Sequence, residues 1–123
     1  MDAKKLCTVL RRKVDAALKE KNQTFKKPSK LTIRYSEFSE KTCQHIIKVT
    51  VTGIMSTFYN EKGVGFPMVT MFDTLKELGC YMDGTAKSVD DGDTYIYTYV
   101  ISNECAEKLL NPWFYLSLLI YYW

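Results

Sequence analysis

The stretch Thr94–Ser102, TYIYTYVIS, constrains the fold of this chain more than any other segment. In an extended backbone, successive side chains point to opposite faces. Tyr95, Tyr97, Tyr99 and Ile101 therefore share one side, and Ile96, Thr98 and Val100 the other. Both sides are apolar enough to need cover. A strand of this kind sits inside a sheet, with its tyrosine side covered by a helix or by a partner.

Other segments supply the neighbours such a strand requires. LTIRYSEF (31–38) alternates Leu31, Ile33 and Tyr35 against Thr32, Arg34 and Ser36. HIIKVTVTGIM (45–55) sets Ile47, Val49 and Val51 against Lys48, Thr50 and Thr52. The density of β-branched residues favours sheet over helix. The polar SEKT (39–42) between them predicts an antiparallel hairpin. CYMDGTAKSV (80–89) reads as a fourth strand with an irregular centre, and DDGD (90–93) as a turn. Gly53 marks a bulge or an exit, and NEKGVG within residues 56–67 reads as a turn.

Helical periodicity appears in three places. Over residues 3–21, Leu6, Leu10, Val14, Ala17 and Leu18 recur at helical spacing, with Asp2 as a start cap and Asn22 as a stop. A second helix is expected over 68–78, with Val69, Phe72 and Leu75 inward, Met68, Met71 and Leu78 extending the apolar surface, and Gly79 as C-cap. A short third helix, ECAEKLL, follows a cap at Ser102 or Asn103 and stops at Asn111–Pro112. The expected architecture is α+β, with two to three helices on an antiparallel sheet of about four strands in the order α-β-β-α-β-β-α. At 123 residues the chain fits one globular domain, 1–123, with a core large enough to need no staples.

Charge is unevenly placed. The net charge is +3 overall, yet residues 1–30 hold ten Lys and Arg against three acids. Lys5, Arg12 and Lys19 form a stripe opposite the apolar face of the first helix, with Lys4 and Arg11 beside them and Lys26, Lys27 and Lys30 in the loop that follows. These eight are candidate phosphate contacts, since phosphate binding supplies affinity without sequence readout. The alternative is a solvated face, neutralised in part by the acidic remainder of the chain.

Residues 113–123, WFYLSLLIYYW, form an apolar run too short for the roughly 20 residues that span a bilayer. It is expected to pack on the domain or on a partner; a membrane surface is the weaker reading. Aromatic side chains dominate binding hot spots. Tyr95, Tyr97, Tyr99, Trp113, Phe114, Tyr115, Tyr121, Tyr122 and Trp123 are therefore the candidate protein interface.

Motifs for chemistry are missing. The four cysteines lack the paired spacing of a zinc site, and MDAKKLCTVLRRK has no apolar leader, so free thiols and a cytoplasmic or nuclear location are expected. Cys7, Cys43 and Cys105 are expected as buried small hydrophobes. His45 is the only histidine; Cys43 is its simplest conceivable partner. Asp90, Asp91 and Asp93 do not form a calcium loop, and EKGVG (61–65) is not a phosphate cradle. No catalytic, metal or cofactor residue is assigned, and no enzyme is expected. The composition points to a non-enzymatic binding module: a small regulator, adaptor or inhibitor acting on a protein or on a second copy of itself. Such a compact chain suits a viral or mobile-element product. Nucleic-acid binding through the basic helix is the alternative.

Overall fold

A computed structural model describes residues 2–25, 29–53, 65–89 and 92–111. Its elements run α1 (Ala3–Glu20), β1 (Lys30–Ser39), β2 (Gln44–Thr52), α2 (Pro67–Glu77), β3 (Tyr81–Met82), β4 (Lys87–Val89), β5 (Thr94–Ser102) and α3 (Asn103–Leu110). The chain is α+β, and every strand pairing is antiparallel. The segment 80–89 does not form one strand. It pairs with β5 twice, as β3 and as β4, so the sheet has five strands in the order β1-β2-β5-β3, with β4 also on β5. Gly84, at a φ of 77° that suits glycine, lies in the excursion between the two short pieces.

β5 is interior, as its two apolar sides require. Its tyrosine side faces the helices: Tyr97, Tyr99 and Ile101 are buried with Ile47, Val49 and Val51 of β2 and Leu31 of β1. From the helices come Leu6, Leu10, Val14 and Leu18 of α1 and Met68, Met71 and Leu75 of α2. Each such aliphatic side chain, fully buried, contributes about 1.5–3 kcal/mol. The opposite sheet face carries Thr32, Arg34, Lys48, Thr50 and Thr98, where the Lys48 ammonium donates to the Thr98 hydroxyl at 2.7 Å.

Helix ends follow local chemistry. The Asp2 carboxylate accepts from the Lys5 amide at 3.0 Å, and the Ser102 hydroxyl from the Cys105 amide at 3.1 Å. α1 closes with Asn22 at a φ of 56°, its amide and that of Gln23 donating back to Lys19 and Leu18. α2 closes the same way through Gly79, with Cys80 donating to Leu75. This paired bonding satisfies carbonyls that a helix end would otherwise leave open.

α2 differs from expectation in its facing. It begins at Pro67, and its buried stripe is Met68, Thr70, Met71, Thr74 and Leu75, while Val69 is exposed. Two threonines join the stripe because their hydroxyls have partners: Thr74 donates to the Thr70 carbonyl, and Thr70 to the buried Gln23 side chain that follows α1. Phe72 is half-buried, its ring edge-on to Tyr97 at 5.2 Å. The second strand ends at Thr52, and Gly53 turns out with a φ of 62°.

A bulge between Tyr35 and Glu37 breaks the β1–β2 register. Without it, alternation would turn Glu37 to the helix side. With it, Phe38 instead pairs opposite His45.

Candidate functional site

The basic residues of α1 divide into two groups according to where the helix meets the sheet. Leu6, Leu10, Val14 and Leu18 anchor α1 over the core. One flank of the helix then overhangs β1, an edge strand of the sheet. Between helix and strand lie two neighbouring clefts. One, of about 400 Å³, is lined by Lys19, Asn22 and Phe25 and, across from them, by Lys30 and Leu31. The other, of about 300 Å³, is lined by Lys4, Cys7 and Thr8 and, across from them, by Thr32, Ile33 and Arg34. Arg11 lines both.

Arg11 is the joint of this groove. Its Nε donates to both Asp15 oxygens, at 3.1 and 3.3 Å, and its Nη1 donates to the Leu31 carbonyl. The guanidinium thus ties α1 to the edge strand. Lys4, Lys19, Lys30 and Arg34 have no carboxylate within ion-pair distance among the described residues. The α1–β1 edge therefore carries one internally balanced charge at Arg11, with Lys4 and Lys19 on the helix and Lys30 and Arg34 on the face of β1 turned away from it. Lys5 and Arg12 are exposed on the convex side of α1, away from the groove. Lys26 and Lys27 lie outside the described residues.

The aromatic candidates fare differently. Tyr97 and Tyr99 are 9% and 3% exposed, part of the core and no part of a surface, because α2 and its neighbours cover that side of β5. Burial raises both phenols above their ordinary pKa. Tyr95 is half-buried and stacks on Tyr97 with centroids 6.4 Å apart. Trp113, Phe114, Tyr115, Tyr121, Tyr122 and Trp123 lie outside the described residues. Among the described residues, the exposed large apolar side chains that sequence reading did not select as an interface are Phe38 on β1, Tyr81 and Met82 on β3, and Phe66 and Val69 around the start of α2.

His45 is a structural group. Its Nδ1 meets the Tyr35 hydroxyl at 2.8 Å and its Nε2 the Asn103 carboxamide oxygen at 2.9 Å. Asn103 Nδ2 donates to Glu107, which fixes the amide so that its oxygen faces the ring. Nε2 must then carry a proton, and in the neutral ring Nδ1 accepts from Tyr35. Both nitrogens are engaged, so neither serves Cys43 as a base. Cys43 itself is exposed in the β1–β2 turn at a φ of 54°, contrary to its expected burial, and its carbonyl accepts from the Asn103 amide. Cys7 and Cys80 are buried and Cys105 is partly so. Burial, with Cys105 and Cys7 adding to it, pushes the Cys80 thiol up to about 12, and burial raises Cys7. Thiols in that condition are poor nucleophiles at neutral pH.

Among the described residues no three His, Cys, Asp or Glu side chains gather as a metal site, and no helix is long and apolar enough to cross a membrane. Asp93 is exposed, while Asp90, Asp91 and residues 61–64 lie outside the described residues. Comparison with protein-family models, with curated proteins and with solved structures finds no match to this chain.

The groove residues that sequence reasoning missed are Arg34, Phe25 and Asn22 in its binding capacity. Arg34 stood in plain view on the polar side of a strand. That it lines a cleft together with Lys4 depends on β1 being the edge strand beside α1, which no local pattern reports.

Proposed function

We propose that this chain is a non-enzymatic binding module that holds a nucleic-acid backbone along the α1–β1 face. One observation carries the reading: Lys4 and Lys19 of α1 and Lys30 and Arg34 of the edge strand line two neighbouring clefts and have no carboxylate within ion-pair distance among the described residues. Like charges gathered along one edge of the fold repel, and an anionic ligand relieves that repulsion. Phosphate contacts of this type supply sequence-independent affinity by releasing counterions. The convex stripe of Lys5 and Arg12 adds to the surrounding positive field and steers an anionic polymer toward the groove.

The absence of an enzymatic role in this reading rests on particular groups. His45 is locked between Tyr35 and Asn103, and the buried thiols are held protonated.

The test is a titration of labelled DNA and RNA oligonucleotides with the full chain at several salt concentrations. The expected result is micromolar or tighter binding at low salt, with the logarithm of the affinity falling linearly against the logarithm of salt. No binding at low salt would contradict the reading. A protein partner, as for a small regulator, adaptor or inhibitor, is the second reading. Tyr81 and Met82, exposed together on a two-residue edge strand, favour it.

A further inference from the structure

We infer that the binding surface continues from the α1–β1 edge onto the open face of the sheet, where Arg34 and Lys48 together hold one phosphate of a nucleic-acid backbone; this rests on the nucleic-acid reading above. The antiparallel register fixes which side chains share that face. Arg34 pairs with Lys48, and Lys48 with Thr98. The next row holds Thr32, Thr50, Ile96 and Lys87, and Lys30 stands in the row after it. The alternate residues, Ile47, Val49, Tyr97 and Tyr99 among them, belong to the core, to which α1, α2 and α3 all contribute from the other side of the sheet.

The first support is a direct opposition of like charges. Paired residues of antiparallel strands have Cα atoms about 4.5–5.5 Å apart, and like charges so placed are destabilising. Neither Arg34 nor Lys48 has a carboxylate within ion-pair distance among the described residues; Glu37, paired with Ile46 in the adjoining row, bonds to neither. A face shaped for solubility alone would intersperse the two signs of charge. The Lys48 ammonium leans away from Arg34 and donates to the Thr98 hydroxyl of β5 at 2.7 Å. Two of its three protons remain for a ligand, and the Thr98 hydroxyl keeps its own proton to donate. Arg34 brings a planar fork that matches phosphate oxygens. A phosphate between the two cations turns their repulsion into charge-assisted hydrogen bonds.

The second support is continuity. Arg34 also lines a cleft with Lys4 and Thr8 of α1, so it joins the pair to the cations of the helix. Lys30, four residues back along β1 on the same face, stands about 13 Å from Arg34 by strand rise. One phosphate cannot reach both, so the spread of cations suits a polymer that repeats its charge.

The experiment measures binding of a labelled single-stranded oligonucleotide to the full chain by fluorescence anisotropy across a salt series. Arg34→Gln and Lys48→Gln should each weaken binding at least fivefold and lower the salt slope by about 0.7, the value for one single-strand phosphate. The double variant should lose less than the two single losses combined, because both side chains hold the same phosphate. Lys48→Arg should stay within twofold of wild type. Lys76→Gln, exposed on α2 across the sheet, should do the same. The urea midpoint of Lys48→Gln at low salt should equal or exceed that of wild type, which a merely structural lysine would not allow. Wild-type binding by Lys48→Gln while Lys4→Gln and Lys19→Gln weaken it would overturn the sheet-face site and leave nucleic-acid binding at the α1–β1 edge standing. Losses in Lys76→Gln equal to those in Lys48→Gln would overturn it as well. Poly-glutamate that displaces the oligonucleotide at equal charge concentration would overturn the choice of ligand in favour of an acidic protein, and no binding of the oligonucleotide at low salt would remove both readings.

Discussion

Replacing His45 with alanine should cost about 3 kcal/mol, and the contributions can be separated. His45 is 4% exposed and spans three elements, with Tyr35 on β1 and Asn103 at the start of α3 as its partners. Tyr35 and Asn103 are half-buried, so each deserted group regains part of its hydration and costs about 1 kcal/mol, the low end for an unmet polar group. The imidazole also packs on Phe38 at 4.8 Å and Tyr35 at 5.7 Å between centroids. Losing those ring contacts, with partial collapse of the space, adds about 1 kcal/mol. Urea unfolding followed by far-ultraviolet circular dichroism reads the result as a lower midpoint at constant slope. On heating, the loss should appear as a fall of about 10 °C in Tm. Tyr35→Phe, which removes only the hydroxyl, should cost about 1 kcal/mol, and the double variant should cost less than the two single losses combined. A His45→Ala variant within about 0.5 kcal/mol of wild type would refute the reasoning, because a buried ring bonded at both nitrogens cannot be removed so cheaply.

Other consequences can be checked by the same means. Leu10→Ala, at a fully buried position of α1, should cost about 2–5 kcal/mol in urea unfolding. Gly79→Ala should cost more than about 1 kcal/mol, because the glycine has a φ of 88° and a Cβ there would sit 3.1 Å from the Cys105 sulfur. Stability should fall with rising alkalinity: the Cys80 thiol ionises at its ordinary value of 9.0 when unfolded but at about 12 when folded, so the unfolded state sheds protons first. Stability from this group is whole below pH 9 and declines by about 1.4 kcal/mol per pH unit between the two values, with the buried Tyr99 adding to the decline. Unfolding midpoints that stay flat from pH 8 to 11 would contradict it.

Much of the fold is legible because the strongest patterns are local. TYIYTYVIS demanded an interior strand, and the Leu6–Leu18 periodicity a helix packed on it. Asp2, Ser102, Asn22 and Gly79 all do at the helix ends what their types suggest. What stayed hidden depends on tertiary placement. Val69 looked inward by period, yet Thr70 and Thr74 took the buried positions because Gln23 and the helix backbone satisfy their hydroxyls. Phe38, three residues after Tyr35, breaks the alternation, and that odd spacing is the one local trace of the bulge. The tyrosine side of β5 could have met a helix or a partner with equal sense. Only the position of α2 decides that Tyr97 is core. The site was half legible: the cations of α1 were visible, while their division into a groove side and a convex side required knowing which strand lies beneath the helix.

The most direct test of the central claim is a residue-resolved one: a nitrogen–proton correlation spectrum of the labelled full chain, recorded as a single-stranded oligonucleotide is added at low salt. The account predicts that the amides that shift cluster along the α1–β1 edge, around Lys4, Thr8, Lys19, Phe25, Lys30 and Arg34, while Tyr81, Met82 and Val69 stay in place. Shifts confined to β3 and the start of α2, or a spectrum that does not change, would contradict it.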